Sequence, residues 1–215
     1  MLLFLSISAK DFITADFERS VVKGENSERL QGIIYCRRDR IALQITSPVE
    51  QRVLISGNLM FIYYPNHNRA FKIRAKTSFT LPFAEALLSN NLSTKRLSER
   101  GFKLTRCEIK GAKLYAYWTP PRKLRKLIKM LLVVSKGDKA LYAEIRSPNA
   151  KPITKIWFKK HVELDNRLIP LEIEIERGEV KEKIVFRDVH LTSDPPEWVI
   201  DFKLPENTRL KEVKW

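Results

Sequence analysis

Few residues in this 215-residue chain are of types and spacings that could do chemistry. The three histidines, His67, His161 and His190, stand apart, each without a second histidine, cysteine or carboxylate at metal-ligand spacing. The two cysteines, Cys36 and Cys107, form no Cys-x-x-Cys pair; each sits in a strand-like run, so two buried free thiols are expected, with one disulfide as the other reading. Glu172, Glu174 and Glu176 resemble paired carboxylates, but at period two they fall on one face of a strand and are expected to be solvated. No nucleophile elbow, Walker loop or His-Glu-x-x-His appears, and glycine is scarce at 7 residues. Catalysis is therefore not expected, and neither a cofactor nor a metal is implied.

Charge offers another chemistry. Lysine and arginine outnumber acids 40 to 25, a net +15 concentrated in residues 1–160. Arg122-Lys123-Leu124-Arg125-Lys126, preceded by Tyr115, Tyr117 and Trp118, suits a nucleic-acid patch, an anionic membrane surface or a solvated basic loop. Charge alone does not choose among them.

The elements that carry these residues read mostly as strands. "QGIIYCR", "RIALQIT", "RVLIS", "LMFIYY" and "AFKIRAK" follow one another with turn residues between. "FKLTRCEI" and "KLYAYW" come later, then strands from about Ile128, although 124–132 also fits a basic amphipathic helix. "LIPLEIEIE", "VKEKIVFRDVHL" and "WVIDFKLP" close the chain. "SFTLPFAEALLSNN" breaks the pattern as a short helix with Thr80 as N-cap and Pro82 in its first turn, followed by a polar loop with a helical turn. "MLLFLSISA" at residues 1–9 reads as the tail of a signal peptide or as a short first helix, leaving residues 10–215 as a single domain. Leu59-Met60-Phe61-Ile62-Tyr63-Tyr64 is apolar on both faces of its strand, which a half-buried sheet does not require.

The run "ADFERSV…GIIYCRRDRIALQITSPVEQRVLISGNLMFIYYPNHNRAFKI" resembles the opening of the periplasmic outer-membrane lipoprotein carriers, the LolA-like proteins. Ala15-Asp16-Phe17, Pro48 with Gln51, and Ile55 through Pro65 carry the likeness, and "FRDVHL…WVIDFKLPENTRLKEV" is similar to the family's closing strands. The resemblance implies a mainly β fold with few short helices: a curved, unclosed antiparallel β-barrel of about 11 strands, with a helical lid over an apolar cavity. It further implies a monomeric periplasmic carrier that takes lipoprotein acyl chains, or a related lipid, from an inner-membrane ABC exporter to an outer-membrane acceptor. On this basis Phe17, Leu43, Ile45, Phe61 and Tyr63 are expected to line the cavity, Phe61 and Tyr63 being continuous with Leu43. Phe83, Leu87 and Leu88 would turn inward from the lid. The arginine with which the family ties its lid aligns with Ala42, so the tie is expected to be missing. A lipid-sensing regulator with the same half-barrel is the nearest alternative, and a nucleic-acid-binding module a more distant one.

Overall fold

The structure, a computed structural model, describes residues 11–79, 87 and 94–214. Fourteen strands run along them: β1 (Phe12–Lys23), β2 (Asn26–Arg37), β3 (Arg40–Ser47), β4 (Gln51–Ser56), β5 (Leu59–Tyr64), β6 (Arg69–Arg74), β7 (Lys103–Lys110), β8 (Lys113–Thr119), β9 (Met130–Lys136), β10 (Lys139–Arg146), β11 (Pro152–Leu164), β12 (Arg167–Arg177), β13 (Val180–Thr192) and β14 (Arg209–Lys214). Among the described residues there are two short α-helices, α1 (Thr94–Glu99) and α2 (Glu197–Ile200). The strands make one unclosed sheet with β14 and β7 as its edges. Residues 1–9, and the predicted helix over 80–90 apart from Leu87, lie outside the described residues.

The chain divides into two compact units. Among the described residues, the first comprises 11–18, 29–79 with Leu87, and 186–214; the second comprises 19–28 and 94–185. In the first, hydrogen-bonded order runs β14-β6-β5-β4-β3-β2-β1-β13, and in the second β13-β12-β11-β10-β9-β8-β7.

Several expectations are corrected. The strands number fourteen rather than about eleven, and the sheet is not wholly antiparallel, because β14 joins β6 in parallel, Arg209 opposite Arg69 through Lys214 opposite Arg74. "WVIDFKLP" is not a strand: Pro196 stands at the N-cap of α2 and Glu197 in its first turn, which is helix-start chemistry. Cys36 is buried as expected, whereas Cys107 on edge strand β7 is an exposed free thiol. From Met130 the chain is strand, as expected for that segment, preceded by a 3-10 turn at Arg122–Leu124.

Turn geometry fixes the registers. Gly57 lies in the left-handed region at φ 56° between β4 and β5, a conformation a side chain would strain. Gly32 sits where β2 slips register against β3; a Cβ there would fall 2.1 Å from the Gln44 carbonyl oxygen.

The two units bury their sheets differently. In the second, Trp118, Leu131, Val133 and Ala143 form one apolar face with Leu97 of α1 and half-buried Phe102 packed into its cluster. In the first, cross-strand pairing puts Tyr35, Ala42, Leu54 and Phe61 on one face, and Ile34, Leu43, Val53 and Ile62 on the other. Buried side chains occur on both.

Candidate functional site: two apolar faces on one sheet

The first face of the first unit is filled by the chain itself. Phe12, Tyr35, Ala42, Leu54 and Val199 form a buried cluster, with Ile33, Phe61, Trp198 and Phe202 against it. The Phe61 and Phe202 rings lie 5.5 Å apart, and the Trp198 indole meets Tyr35 edge-on at 6.3 Å. Helix α2 therefore caps this face, and Arg40 fastens it: the Arg40 guanidinium donates to the Val199 carbonyl at 2.9 Å and to the Ile200 carbonyl. A cation at helix-terminal carbonyls satisfies groups left without intrahelical partners.

The second face is apolar from β1 to β6 and meets charge only at its β6–β14 margin, where Arg69, Arg209 and Lys211 stand. Alternation along β1 places Ile13, Ala15 and Phe17 together, and the paired registers of β2 to β6 join Ile34, Leu43 and Ile45 to Val53, Ile62 and Phe71. Ile13, Phe17, Ile34, Leu43, Ile45 and Val53 are buried. Met60, Ile62, Phe71 and Ile73, at the β5–β6 end, are half-buried. Cys36 belongs to this face as well, and burial raises its thiol well above the usual range, so it stays protonated and behaves as a small apolar side chain.

The eight expected cavity residues are thus divided. Phe17, Leu43 and Ile45 share the second face, whereas Phe61 and Tyr63 point to the first, opposite Leu54 and Arg52. The expected continuity of Phe61 with Leu43 is wrong: Leu43 pairs with Val53 and Val53 with Ile62, so Ile62 is the β5 neighbour on that face. Leu87 is helical and fully buried; Phe83 and Leu88 lie outside the described residues. Ala42 lies in the filled cluster under Val199, and it is Arg40, two residues upstream, that reaches helix carbonyls. The signal for Arg40 was the triplet Arg37-Arg38-Arg40 at the β2–β3 turn, which charge counting did not resolve into roles.

An open hollow of about 240 Å³ on the first face is lined by Thr14, Asp16, Tyr35, Asp188, His190 and Thr192 among others. Its lining is too polar for an acyl chain. His190 Nδ1 lies 2.6 Å from the Asp188 carbonyl oxygen, so that ring is engaged locally. Among the described residues no group of three or more histidine, cysteine or carboxylate side chains could hold a metal ion.

The glutamates of β12 depart from expectation. Glu172 is 5% exposed rather than solvated. The Lys160 ammonium at 2.7 Å and the Lys183 ammonium at 3.1 Å hold its carboxyl at a pKa of about 2, against the opposing effect of burial. Lys160 reaches it because its backbone is left-handed at φ 53°, which puts it on the same side as Lys159, 2.6 Å from Glu174. Such charge pairs build a face; they do not make an acid–base site.

No family model matches the chain, and no curated protein does. Solved structures match along nearly its whole length. A LolA superfamily protein from Nitrosomonas europaea superposes with a TM-score of 0.58 at 13% identity, covering 88% of this chain and 90% of that one. A domain assigned to outer membrane lipoprotein sorting from Vibrio parahaemolyticus gives 0.62 at 12% identity, with 90% and 91% covered. A DUF1329 family protein from Desulfovibrio piger gives 0.62 at 14%, with 91% of each chain covered. The chain has the LolA-like fold.

Proposed function

We propose that the protein is a non-catalytic carrier that binds acyl chains, of a lipoprotein or a related lipid, on the second face of the first unit. The observation that supports this most directly is the unbroken apolar run on that face from β1 to β6, on a sheet whose opposite face is already filled by α2 and Phe202. A sheet needs one apolar face to be stable; a second is in excess unless something apolar covers it. Acyl chains suit it, since burial is worth about 0.8 kcal/mol per methylene and the polar side chains of the face stand only at its margins. Met60, Ile62, Phe71 and Ile73, the half-buried end of the run, are where a chain would lie first. Leu87, helical and fully buried, belongs to the cover that the chain displaces in this reading.

In the same proposal the protein works in the periplasm, receiving cargo from an inner-membrane ABC exporter and yielding it to an outer-membrane acceptor. The likeness in fold to a domain assigned to lipoprotein sorting supports it. The test is titration with a fluorescent fatty-acyl probe at low and high salt. Binding is expected to be insensitive to salt, as burial of hydrocarbon is, and to be lost in Ile62→Asp. An Ile62→Asp protein that melts normally and binds the probe normally would overturn the assignment of the face; a native protein that binds no acyl probe would overturn the function.

A further inference from the structure

Between β8 and β9 the chain turns through residues 120–129, and this turn is ordered by its own hydrogen bonds. The Leu124 amide donates to the Pro121 carbonyl at 2.9 Å, and the Leu127 and Ile128 amides to the Leu124 carbonyl at 2.9 and 2.8 Å. The Lys129 amide donates to the Arg146 carbonyl at 2.8 Å, and the Arg125 guanidinium to the Pro120 carbonyl at 3.2 Å. Pro120 and Trp118 anchor its start in the second unit's interior. Leu124 and Ile128 are half-buried, yet Leu127 between them is 67% exposed.

Around Leu127 stand Arg122, Lys123, Arg125, Lys126 and Lys129, all exposed, with no acidic residue between Glu108 and Asp138. Among the described residues none of these five cations makes an ion pair. On β11 to β13, by contrast, Lys155, Lys159, Lys160 and Lys183 all face glutamates. A run of unpaired, exposed cations flanking an exposed leucine fits a surface that is anionic outside and hydrocarbon just beneath.

We propose that the 120–129 turn docks the protein on an anionic phospholipid bilayer, Leu127 entering the headgroup boundary while the five cations meet lipid phosphates. A nucleic acid would supply the phosphates too, but it would ask for free aromatic rings on which bases stack. The nearby rings are engaged: Trp118 is buried, Tyr115 lies under the Lys110 ammonium at 5.3 Å, and Tyr117 under the Arg106 guanidinium at 5.5 Å. An exposed leucine contributes nothing to a phosphodiester backbone. The bilayer accounts for both features of the turn.

This docking surface does not depend on the acyl-carrier reading, and its test keeps the two apart. Sedimentation is measured with phosphatidylcholine vesicles, with and without phosphatidylglycerol, and binding to a single-stranded oligonucleotide is measured in parallel. Binding is expected only with phosphatidylglycerol present and is expected to weaken with salt. Each cation near such a surface is worth about a fivefold gain in partitioning, so Lys123→Gln with Lys126→Gln lowers it about 25-fold. Leu127→Ser lowers it about tenfold by removing buried methylenes. Lys181→Gln, at an exposed lysine on β13, changes it far less. Ile62→Asp, which removes acyl-probe binding, leaves vesicle binding intact. All these positions but Ile62 are exposed, and unchanged melting confirms that the variants fold. Equal binding to pure phosphatidylcholine, indifference to Leu127→Ser, or tighter binding to the oligonucleotide than to the vesicles would each overturn the proposal.

Discussion

In the first unit, strands β2 to β5 set apolar side chains on both faces: Tyr35, Ala42, Leu54 and Phe61 on one, Ile34, Leu43, Val53 and Ile62 on the other. In the second unit, β10 to β12 do so on one face only. Their other face is a lattice of charge and aromatic rings, with Tyr142 over Trp157 at 5.5 Å and Lys155, Lys159, Lys160 and Lys183 against Glu176, Glu174 and Glu172. The second unit has one apolar face and one charged face, on which Glu144 and Glu172 are buried with their partners. The first has a surplus apolar face. That difference, rather than any reactive group, is what the proposed acyl-binding role of the first unit rests on.

The largest expected effect tests the two faces of the first unit against each other. Phe61→Ala removes a ring packed on Phe202 and the Phe12 cluster. It is expected to cost about 3 kcal/mol, the low end for a buried phenylalanine because Phe61 is only half-buried. Ile62→Ala on the other face is expected to cost about 1 kcal/mol if that face binds the proposed ligand, because such a residue already borders space. Chemical denaturation of the two variants side by side reads the difference. Equal losses would make the second face ordinary interior and remove the contrast.

A comparable effect should appear in the second unit as pH falls. Glu172 has its folded pKa depressed from 4.5 to about 2 by Lys160 and Lys183. A depressed carboxylate contributes stability that is complete above the unfolded pKa and is lost as the group protonates in the fold. The loss should therefore lie between about pH 4.5 and pH 2 and reach at most about 3 kcal/mol. Glu172→Gln should be less stable at neutral pH and show a flatter profile across that window, followed by melting temperature against pH. A variant with the native slope would place the acid sensitivity elsewhere. Glu144 adds to the slope in the same direction. Burial alone would raise its pKa, but the Tyr142 hydroxyl at 2.5 Å and the Arg146 guanidinium outweigh it, and the net shift is downward.

These two effects mark what was legible in the sequence. The apolar alternation of β3, β4 and β5, and the turns between them, stand in the sequence because a period of two is a local property. The faces do not: Phe61 and Ile62 are equally apolar neighbours, and only the pairing of Leu54 with Phe61 and Val53 with Ile62 decides which goes where. Glu172 reads as solvated because its neighbours alternate cleanly; its pairing depends on Lys160, twelve residues away, adopting a left-handed backbone. Strand β14 was not read as a separate strand because Arg209, Lys211, Glu212 and Lys214 leave it little apolar pattern, as suits a charged sheet edge. It is held by parallel pairing with β6 and by Lys72 on Glu212 at 2.8 Å, neither of which is local. For α2 the signal was present in Pro195-Pro196-Glu197, and was outweighed by the apolar look of Trp198, Val199 and Ile200.

A smaller effect concerns how the first face is closed. Arg40→Gln removes the donor that reaches the Val199 and Ile200 carbonyls. One charge-assisted hydrogen bond of this kind is worth about 1.5–3 kcal/mol, and glutamine can restore only part of it, so a loss of about 1–2 kcal/mol is expected. Amide exchange should quicken at Val199 and Asp201, whose amides close α2 on Pro196 and Glu197, while the β3–β4 ladder stays protected. If exchange quickens evenly through the first unit, Arg40 supports the whole sheet and not the cap.

The smallest effect returns to the charged face of the second unit. Glu174 and Glu172 lie two residues apart on β12 and each meets a lysine within 3 Å, so a count of ion pairs would rank them equal. Their surroundings differ: the Glu174 side chain is 34% exposed and that of Glu172 only 6%. An exposed pair gains little in water because solvent screens it and two long side chains must be held still, whereas a buried carboxylate robbed of its charge leaves ammonium groups without a partner. Glu174→Gln is therefore expected to cost under about 0.5 kcal/mol and to leave the acid profile unchanged. Glu172→Gln should exceed it several-fold. Thermal melts of the two variants at physiological and at low ionic strength measure this directly, and only the Glu174→Gln difference should grow as salt is removed. Near-equal costs would mean that the face works as one pooled network, and that the burial of Glu172 has no special weight within it.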